Sequence, residues 1–419
     1  MNVACLSATA LILIAGFPAR AQDTSQGHTP LAELIGEARK NNAQLIGAEH
    51  ALRAAGHVAR QVTTLPDPQF TVQQFSVGSP RPFAGFTNSN FAYVGFGASQ
   101  ELPYPGKLRL KGQVADRETD AQHAHLEELR AEVALQVKAA YFHLAYLQQT
   151  LDLLQRTGDT LKQVADTELS RYRIGQGSQS AVLNAQLERT KLLREITLHH
   201  GDIGQYQAEL KLLLHRPQAS PDIVPEDLRP TTLAYSAKEL LALVQGHNPG
   251  VQSELAVVNK QDAQLKSAER ARKPDFNVGY MVQETGPSYR DYYMLTFSMS
   301  LPQRKRVNAQ VAEAAELLEE TKASLDAQLQ QELAEVQKQY VTATSTGEQL
   351  TEYRDGLIPQ AESVLRASLA AYQSASGDLR AVLLAVNDVL SLQREAAQTL
   401  LDHEIAISNL ETLTGETLR

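Results

Sequence analysis

The sequence predicts a mainly α-helical chain with a small β part, in which long coiled-coil helical hairpins are joined to two β-hairpins. Three observations carry that prediction. Two long segments place apolar residues at steps of three and four, two short aromatic segments alternate apolar and polar residues, and the whole plan occurs twice within 419 residues.

The duplication is read from matched phrases. Arg171 to Gln186 read RYRIGQGSQSAVLNAQ, and 200 positions later Ala371 to Val386 read AYQSASGDLRAVLLAV. Tyr172 recurs as Tyr372, Gly177 as Gly377, and Ala181-Val182-Leu183 as Ala381-Val382-Leu383. Nearer the N-terminus Glu33-Leu34 matches Glu239-Leu240, Asn42 matches Asn248, and Pro68-x-Phe70-x-Val72 matches Pro274-x-Phe276-x-Val278. The expected organisation is a signal peptide over 1–21, a first repeat over 22–216, a Pro-rich linker over 217–230 and a second repeat over 231–419. The first repeat holds a β-hairpin at about 68–103 and a tip at 171–178. The second holds a β-hairpin at about 274–302 and a tip at 371–379.

Each long helix follows from its seam. Val137, Ala140, Leu144, Leu147, Leu151 and Leu154 recur at three and four, as paired helices require. A run from Leu108 to about Arg173 at about 1.5 Å per residue makes a helix about 100 Å long. The second repeat is expected to run from Arg306 to Tyr372 with a bend at Gly356 to Pro359. Each helix then turns at its glycines and returns. The tip glycines Gly177 and Gly377 are expected to use left-handed backbone, and the Val-Leu pairs to pack the returning helix. Helices of this length build a rod or a tube wall.

The strands are short and aromatic. Eight of the ten phenylalanines lie between Phe70 and Phe96 or between Phe276 and Phe297. Tyr293, Leu295, Phe297 and Met299 alternate with Met294, Thr296 and Ser298, so the first set is expected to face lipid and the polar set a lumen. Loops at 76–90 and 284–291 would close the hairpins. Four strands cannot close a barrel, and lipid does not tolerate open edges. Several chains must therefore share one: two give a plugged eight-stranded barrel, three a twelve-stranded one with room for a channel.

Composition excludes other classes. Lys+Arg 39 against Asp+Glu 48 gives a net charge of −9, which argues against nucleic acid as a partner. The apolar run Leu6 to Phe17 followed by Ala19-Arg20-Ala21 reads as an export signal, although no Lys or Arg precedes it. Cys5, the one cysteine, lies inside that signal, so neither disulfides nor thiolate metal sites are expected. His403-Glu404 begins a zincin-like pattern, but Ile407 stands at the second ligand position. His123 and His125 diverge on a helix, as do His199 and His200, and Gly175-x-Gly177 follows a helix where a dinucleotide fingerprint needs a strand. No catalytic set, cofactor site or metal site emerges. A passive conduit is expected.

The order of helix, strand hairpin, long helix, glycine turn and returning helix resembles the TolC-type outer membrane efflux proteins. Tyr172, Gly175, Ser178, Val182-Leu183 and Ala185 are similar to that family's periplasmic tip, as are Tyr372, Gly377, Val382-Leu383 and Ala385. The resemblance implies a homotrimer with a twelve-stranded barrel in the outer membrane, an α-helical tunnel across the periplasm, and work with a periplasmic adaptor and an inner-membrane pump of the resistance-nodulation-division type. It implies adaptor contact at Tyr172, Gly175, Gly177, Ser178, Val182, Leu183, Tyr372, Gly377, Asp378, Val382 and Leu383, with Arg171, Arg173, Asp378 and Arg380 as candidate gating charges. LPYPGKL (Leu102 to Leu108) resembles a motif of the heavy-metal branch, to which CzcC and CusC belong, with Tyr104 in place of tryptophan. Drug, dye or solvent efflux and type I secretion are the alternative cargoes. A soluble periplasmic coiled-coil scaffold or adaptor is the alternative of another class.

Overall fold

A computed structural model describes residues 27–76, 92–285, 292–374 and 376–418. The expected signal peptide and the two strand-connecting loops lie outside the described residues, apart from the loops' edges.

Elements run in two matching rounds. The first has α1 (Leu31–Asn41), α2 (Ala43–Thr63), β1 (Gln69–Phe75), β2 (Tyr93–Leu102), α3 (Lys107–Arg173) and α4 (Gln179–Leu213). The second has α5 (Ala237–His247), α6 (Pro249–Arg270), β3 (Asp275–Thr285), β4 (Tyr292–Ser300), α7 (Arg304–Glu352), α8 (Ile358–Gln373) and α9 (Leu379–Thr414). α3 is 67 residues of uninterrupted helix, about 100 Å at the standard rise. No described helix is long and apolar enough to cross a membrane.

The second long helix has a π turn where the bend was expected. Tyr353–Leu357 form one π turn between α7 and α8, and the Ile358 N–H reaches back to the Tyr353 carbonyl. Pro359 follows in the first turn of α8. Proline supplies no N–H, and a local i→i+5 pattern absorbs that loss without breaking the helical path.

The helices pack side by side, with α3 inside the row. Beside the strands the order is α2–α3–α6–α7, and toward the tips it is α4–α3–α9 with α7 and α8 beyond. Of the six predicted seam residues, Val137, Ala140, Leu144, Leu147 and Leu154 are buried and Leu151 half-buried. One core joins α1, α3 and the end of α4 through Leu34, Val137, Leu144 and Leu210. A second joins α5, α7 and α9 through Leu240, Val336 and Ile407, and a third near the tips joins α3, α4, α8 and α9.

Matching asparagines tie both rounds together at the same place. The buried Asn42 side chain accepts from the Gln44 N–H at 2.9 Å, capping α2, and its Nδ2 donates to the Leu213 carbonyl at 3.0 Å. Asn248 accepts from the Val251 N–H at 2.8 Å, capping α6, and donates to the Leu413 carbonyl at 2.9 Å. Each returning helix is thus fastened to the start of its own repeat. The segment between α4 and α5 has no regular structure and is strapped over the helices. Gln207 exchanges two hydrogen bonds with Ile223, and Glu404 accepts from the Thr231 N–H at 2.7 Å.

The asparagine clasp makes a direct prediction. Asn42→Ala or Asn248→Ala removes a cap and strands a carbonyl, which should cost about 1–3 kcal/mol. The check is a lower thermal midpoint of the purified protein, with unchanged helix content before the transition.

Candidate functional site: the sheet, its junction and the helix tips

The four strands form one antiparallel sheet in the order β1-β2-β3-β4, so the two hairpins pair with each other as well as internally. Register decides the faces. Val72 lies opposite Phe96, Phe96 opposite Val282, and Val282 opposite Tyr293. Phe276, Val278 and Tyr280 face Met299, Phe297 and Leu295 in the same way. Because pleating alternates side chains, these all share one apolar face. Leu295 is 74% exposed and Phe297 67% exposed. The other face mixes Thr71, Gln73, Gly95, Gly97, Ser99, Asn277, Gly279, Thr296 and Ser298 with Phe75, Tyr93, Tyr292, Met281, Met294 and Glu101. The predicted set Tyr293, Leu295, Phe297 and Met299 thus falls on a single apolar, exposed surface.

The LPYPGKL stretch is the junction between strand and helix. Gly106 has φ 93° and starts α3, a conformation that suits glycine. The Tyr104 N–H donates to Asp275 Oδ1 at 2.8 Å, and Lys107 Nζ pairs with Asp275 Oδ2 at 2.7 Å. The Tyr104 ring stacks on Phe276, and the Arg270 guanidinium lies 4.9 Å from its centre while donating to the Pro105 carbonyl at 2.6 Å. The junction of the first repeat is therefore built on the strand entry of the second. Asp275 and Arg270 carry no sequence signal of this role, because their partners are more than 160 residues away.

At the first tip α3 ends at Arg173, and the left-handed residue is Gly175, with φ 76°. Ser178 caps α4 by accepting from the Ala181 N–H at 3.2 Å. Gly177 and Gly377 are not in the left-handed region, contrary to expectation. Their role is close approach. A Cβ on Gly177 would lie 3.0 Å from the Tyr172 nitrogen, and one on Gly377 would lie 2.9 Å from both the Ala371 carbonyl carbon and the Tyr372 nitrogen. In each tip the chain folds back onto the last turn of the helix it has just left, leaving a side chain little room at Gly177 and none without a backbone shift at Gly377.

The matched tip residues do not share one environment. Val182 and Val382 are buried, while Leu183 is exposed and Leu383 half-buried, so the valine of each pair does most of the packing. Tyr172 is 45% exposed, but Tyr372 is 5% exposed and donates its hydroxyl to Glu168 on α3. Arg171 lies 4.7 Å from the centre of the Tyr372 ring and 3.6 Å from Glu168. Tyr372, Val182 and Val382 are buried within the single chain, and Arg171 lies between Glu168 of its own helix and the Tyr372 ring of the other repeat. Arg173, Asp378 and Arg380 are exposed, and Asp378 makes no side-chain cap to α9. Glu168 escaped the sequence because its counterpart at the same offset is Ser368, so the duplication gave no sign of it.

His403 is buried, with Nε2 2.8 Å from the Thr231 carbonyl and Nδ1 3.0 Å from the Ala343 carbonyl. Among the described residues no group of three His, Cys, Asp or Glu could hold a metal ion.

With this geometry in view, comparison with known proteins is specific. Residues 34–214 match the family model described as outer membrane efflux protein. No characterised protein sequence matches the chain at a significant level. Among solved structures, the outer-membrane channel OprN superposes with a TM-score of 0.79 at 17% identity, covering 93% of this chain and 90% of that one. VceC from Vibrio cholerae gives 0.77 at 19% identity, covering 93% and 97%, and CusC gives 0.76 at 17% identity, covering 92% of each chain. These structures share the fold over nearly the whole length.

Two predictions follow from the tip geometry. Gly377→Val places side-chain atoms against backbone that cannot move aside, a local strain of about 1–3 kcal/mol. The protein should still fold, because the seam of α3 and the sheet are untouched, but the tip should be displaced, and amide hydrogen exchange at the second tip should rise while that of α3 stays unchanged. Unchanged exchange at the tip, or loss of the folded protein, counts against this account. The second prediction concerns pH. Burial and the neighbouring Glu168 push the Tyr372 hydroxyl up to about 12 from 10.0. A raised value means the folded tip holds that proton more tightly than the unfolded chain does. The contribution is fully present below pH 10 and is lost as pH rises toward about 12. Protection of tip amides from hydrogen exchange should fall over that window in the native protein, and Tyr372→Phe should abolish that step.

Proposed function

We propose that this protein is a passive outer-membrane exit duct, a reading supported by the match of residues 34–214 to the outer membrane efflux protein model and by the channel fold shared along the whole chain. Three copies would form it. The observation that carries this reading is the sheet: four strands, one continuous apolar exposed face, and free edges at β1 and β4. Unpaired backbone donors and acceptors are not tolerated in hydrocarbon, so those edges must pair with other copies of the chain. Three sheets make twelve strands, enough for an open lumen.

The helices support the same assembly. Leu187, Leu193 and Leu198 on α4, and Val364 on α8, are exposed apolar residues at the two borders of the helix row. Neighbouring copies would cover them and close a tunnel continuous with the barrel. Two tips per chain in three chains make a near-sixfold ring, where Tyr172, Ile174 and Leu183 offer an apolar surface to a periplasmic adaptor. The Glu168–Tyr372–Arg171 contact would hold the two tips of one chain together and so resist opening. Energy would come from an inner-membrane pump of the resistance-nodulation-division type. LPYPGKL favours heavy-metal cations as cargo over drugs, dyes or solvents. A soluble scaffold would have no use for an exposed apolar sheet face of this extent.

The strand register provides the test. In membranes, Thr296→Cys should react with an impermeant thiol reagent and Phe297→Cys should be protected. Phe297→Arg should cost about 2–4 kcal/mol of folding stability near the midplane, whereas Thr296→Arg should be tolerated. The reverse labelling pattern, or release of the protein with the soluble periplasm, would overturn the proposal.

A further inference from the structure

The strand ladder brings three turns to one edge of the sheet. Leu102 at the end of β2 lies opposite Phe276, and Asp275 at the start of β3 lies opposite Ser300 at the end of β4. Residues 101–111, 269–275 and 300–306 therefore share the level at which strands give way to helices. Those stretches hold nine Lys or Arg against three Asp or Glu, in a chain whose net charge is −9. Lys107 pairs with Asp275, and Arg270 lies over the Tyr104 ring. Arg109, Lys111, Arg272, Lys273 and Arg304 to Arg306 are exposed and stand outside the ion pairs of the described residues. A local excess of one sign in a chain of the opposite sign concentrates anions at that level.

An exposed apolar surface begins directly beside these cations. Leu301, two residues past Met299 and 71% exposed, carries the apolar face of the sheet to within three residues of Arg304. Rings mark the passage from one to the other. Phe297 stacks on Phe276 at 5.7 Å, Phe276 stacks on Tyr104 at 6.4 Å, and the Arg270 guanidinium lies 4.9 Å from the Tyr104 centre. This column has the amphipathic order of a phospholipid, with hydrocarbon beside the rings and phosphate beside the cations. A nucleic acid would use the cations and leave Phe70, Met299 and Leu301 bare.

We infer that this edge of the sheet is a binding zone for anionic glycerophospholipids in the leaflet on the helix side of the membrane. Exposed Lys and Arg beside an anionic lipid surface each add to its hold, and the attraction fades within a Debye length. Arg can grip a phosphate through two parallel N–H donors, and Lys acts as a point charge. A zwitterionic headgroup carries a compensating ammonium and gains less. Such a zone would fix the depth of the sheet, because the cations stop at the headgroups and the rings enter the hydrocarbon. That the sheet lies in a membrane rests on the exit-duct reading; the preference for an anionic headgroup is separate from it.

The chain contains no tryptophan, so one introduced at the exposed Leu301 is a single reporter. Full-length Leu301→Trp protein is reconstituted in mixed dioleoyl phosphatidylcholine and dioleoyl phosphatidylglycerol vesicles, with bromine on the chains of one lipid or the other. Brominated chains quench indole fluorescence on contact. At low salt, brominated phosphatidylglycerol should be preferred about fivefold, as one Lys or Arg near an anionic surface would confer. In the same background R272Q/K273Q/R304Q/K305Q/R306Q should bring the two lipids to parity, and quenching by phosphatidylcholine shows that the variant inserts. If it does not insert, R272Q/K273Q and R304Q/K305Q/R306Q separately should each lower the preference. Added salt should lower it too, sodium phosphate no more than sodium chloride at equal ionic strength. Equal quenching by the two lipids, a preference unchanged in the variants, or specific displacement by inorganic phosphate would overturn the inference. Absence of quenching by either lipid would overturn it together with the membrane placement of the exit-duct reading, so the two failures differ.

Discussion

The apolar seam of α3 is the interaction on which the rest of the chain depends. It is the one helix that packs against α2 and α4 of its own repeat and against α6 and α9 of the other. Burying Leu144, Leu154 and Leu161 on different stretches of one rigid helix fixes where the strands begin at one end and where the tips meet at the other. Helical stability at this length comes from packing of such a face more than from local propensity. A rod of about 100 Å can therefore carry two separate functions at its ends without a compact domain between them.

Both ends are made by contacts between repeats. At the membrane end Asp275 and Arg270 of the second repeat hold the Tyr104 to Lys107 turn of the first. At the tip Tyr372 of the second repeat donates to Glu168 of the first. Duplication supplies two similar hairpins, and divergence at single positions makes one of each matched pair a bond donor and leaves the other free. Tyr172 is exposed for this reason, and the two tips differ in chemistry even where their backbone is repeated.

The strand register links architecture to transport. It brings Phe70, Phe96, Tyr280 and Leu295 onto one face and the glycines, hydroxyls, amides and two methionines onto the other. In the proposed duct this second face would line the lumen, and its carboxylates Glu101 and Asp275 lie at the helix ends of β2 and β3, leaving selection to whatever loads the duct.

The sequence by itself determined what depends on neighbours a few residues apart. The three-and-four seam of α3, the two-residue alternation of β4 and the caps at Asn42 and Asn248 are local physics, and the duplication repeats these patterns in both halves. Only the tertiary structure decided which distant groups meet. Glu168 and Tyr372 are 204 positions apart, and nothing near either residue specifies the other. The pairing of β2 with β3 joins two hairpins that the sequence could describe only singly. Gly177 and Gly377 looked like left-handed turn residues, but the return path of the chain placed them against helix backbone. A periodic pattern states which face of an element is apolar; what covers that face depends on how rigid elements pack over the full length of the molecule.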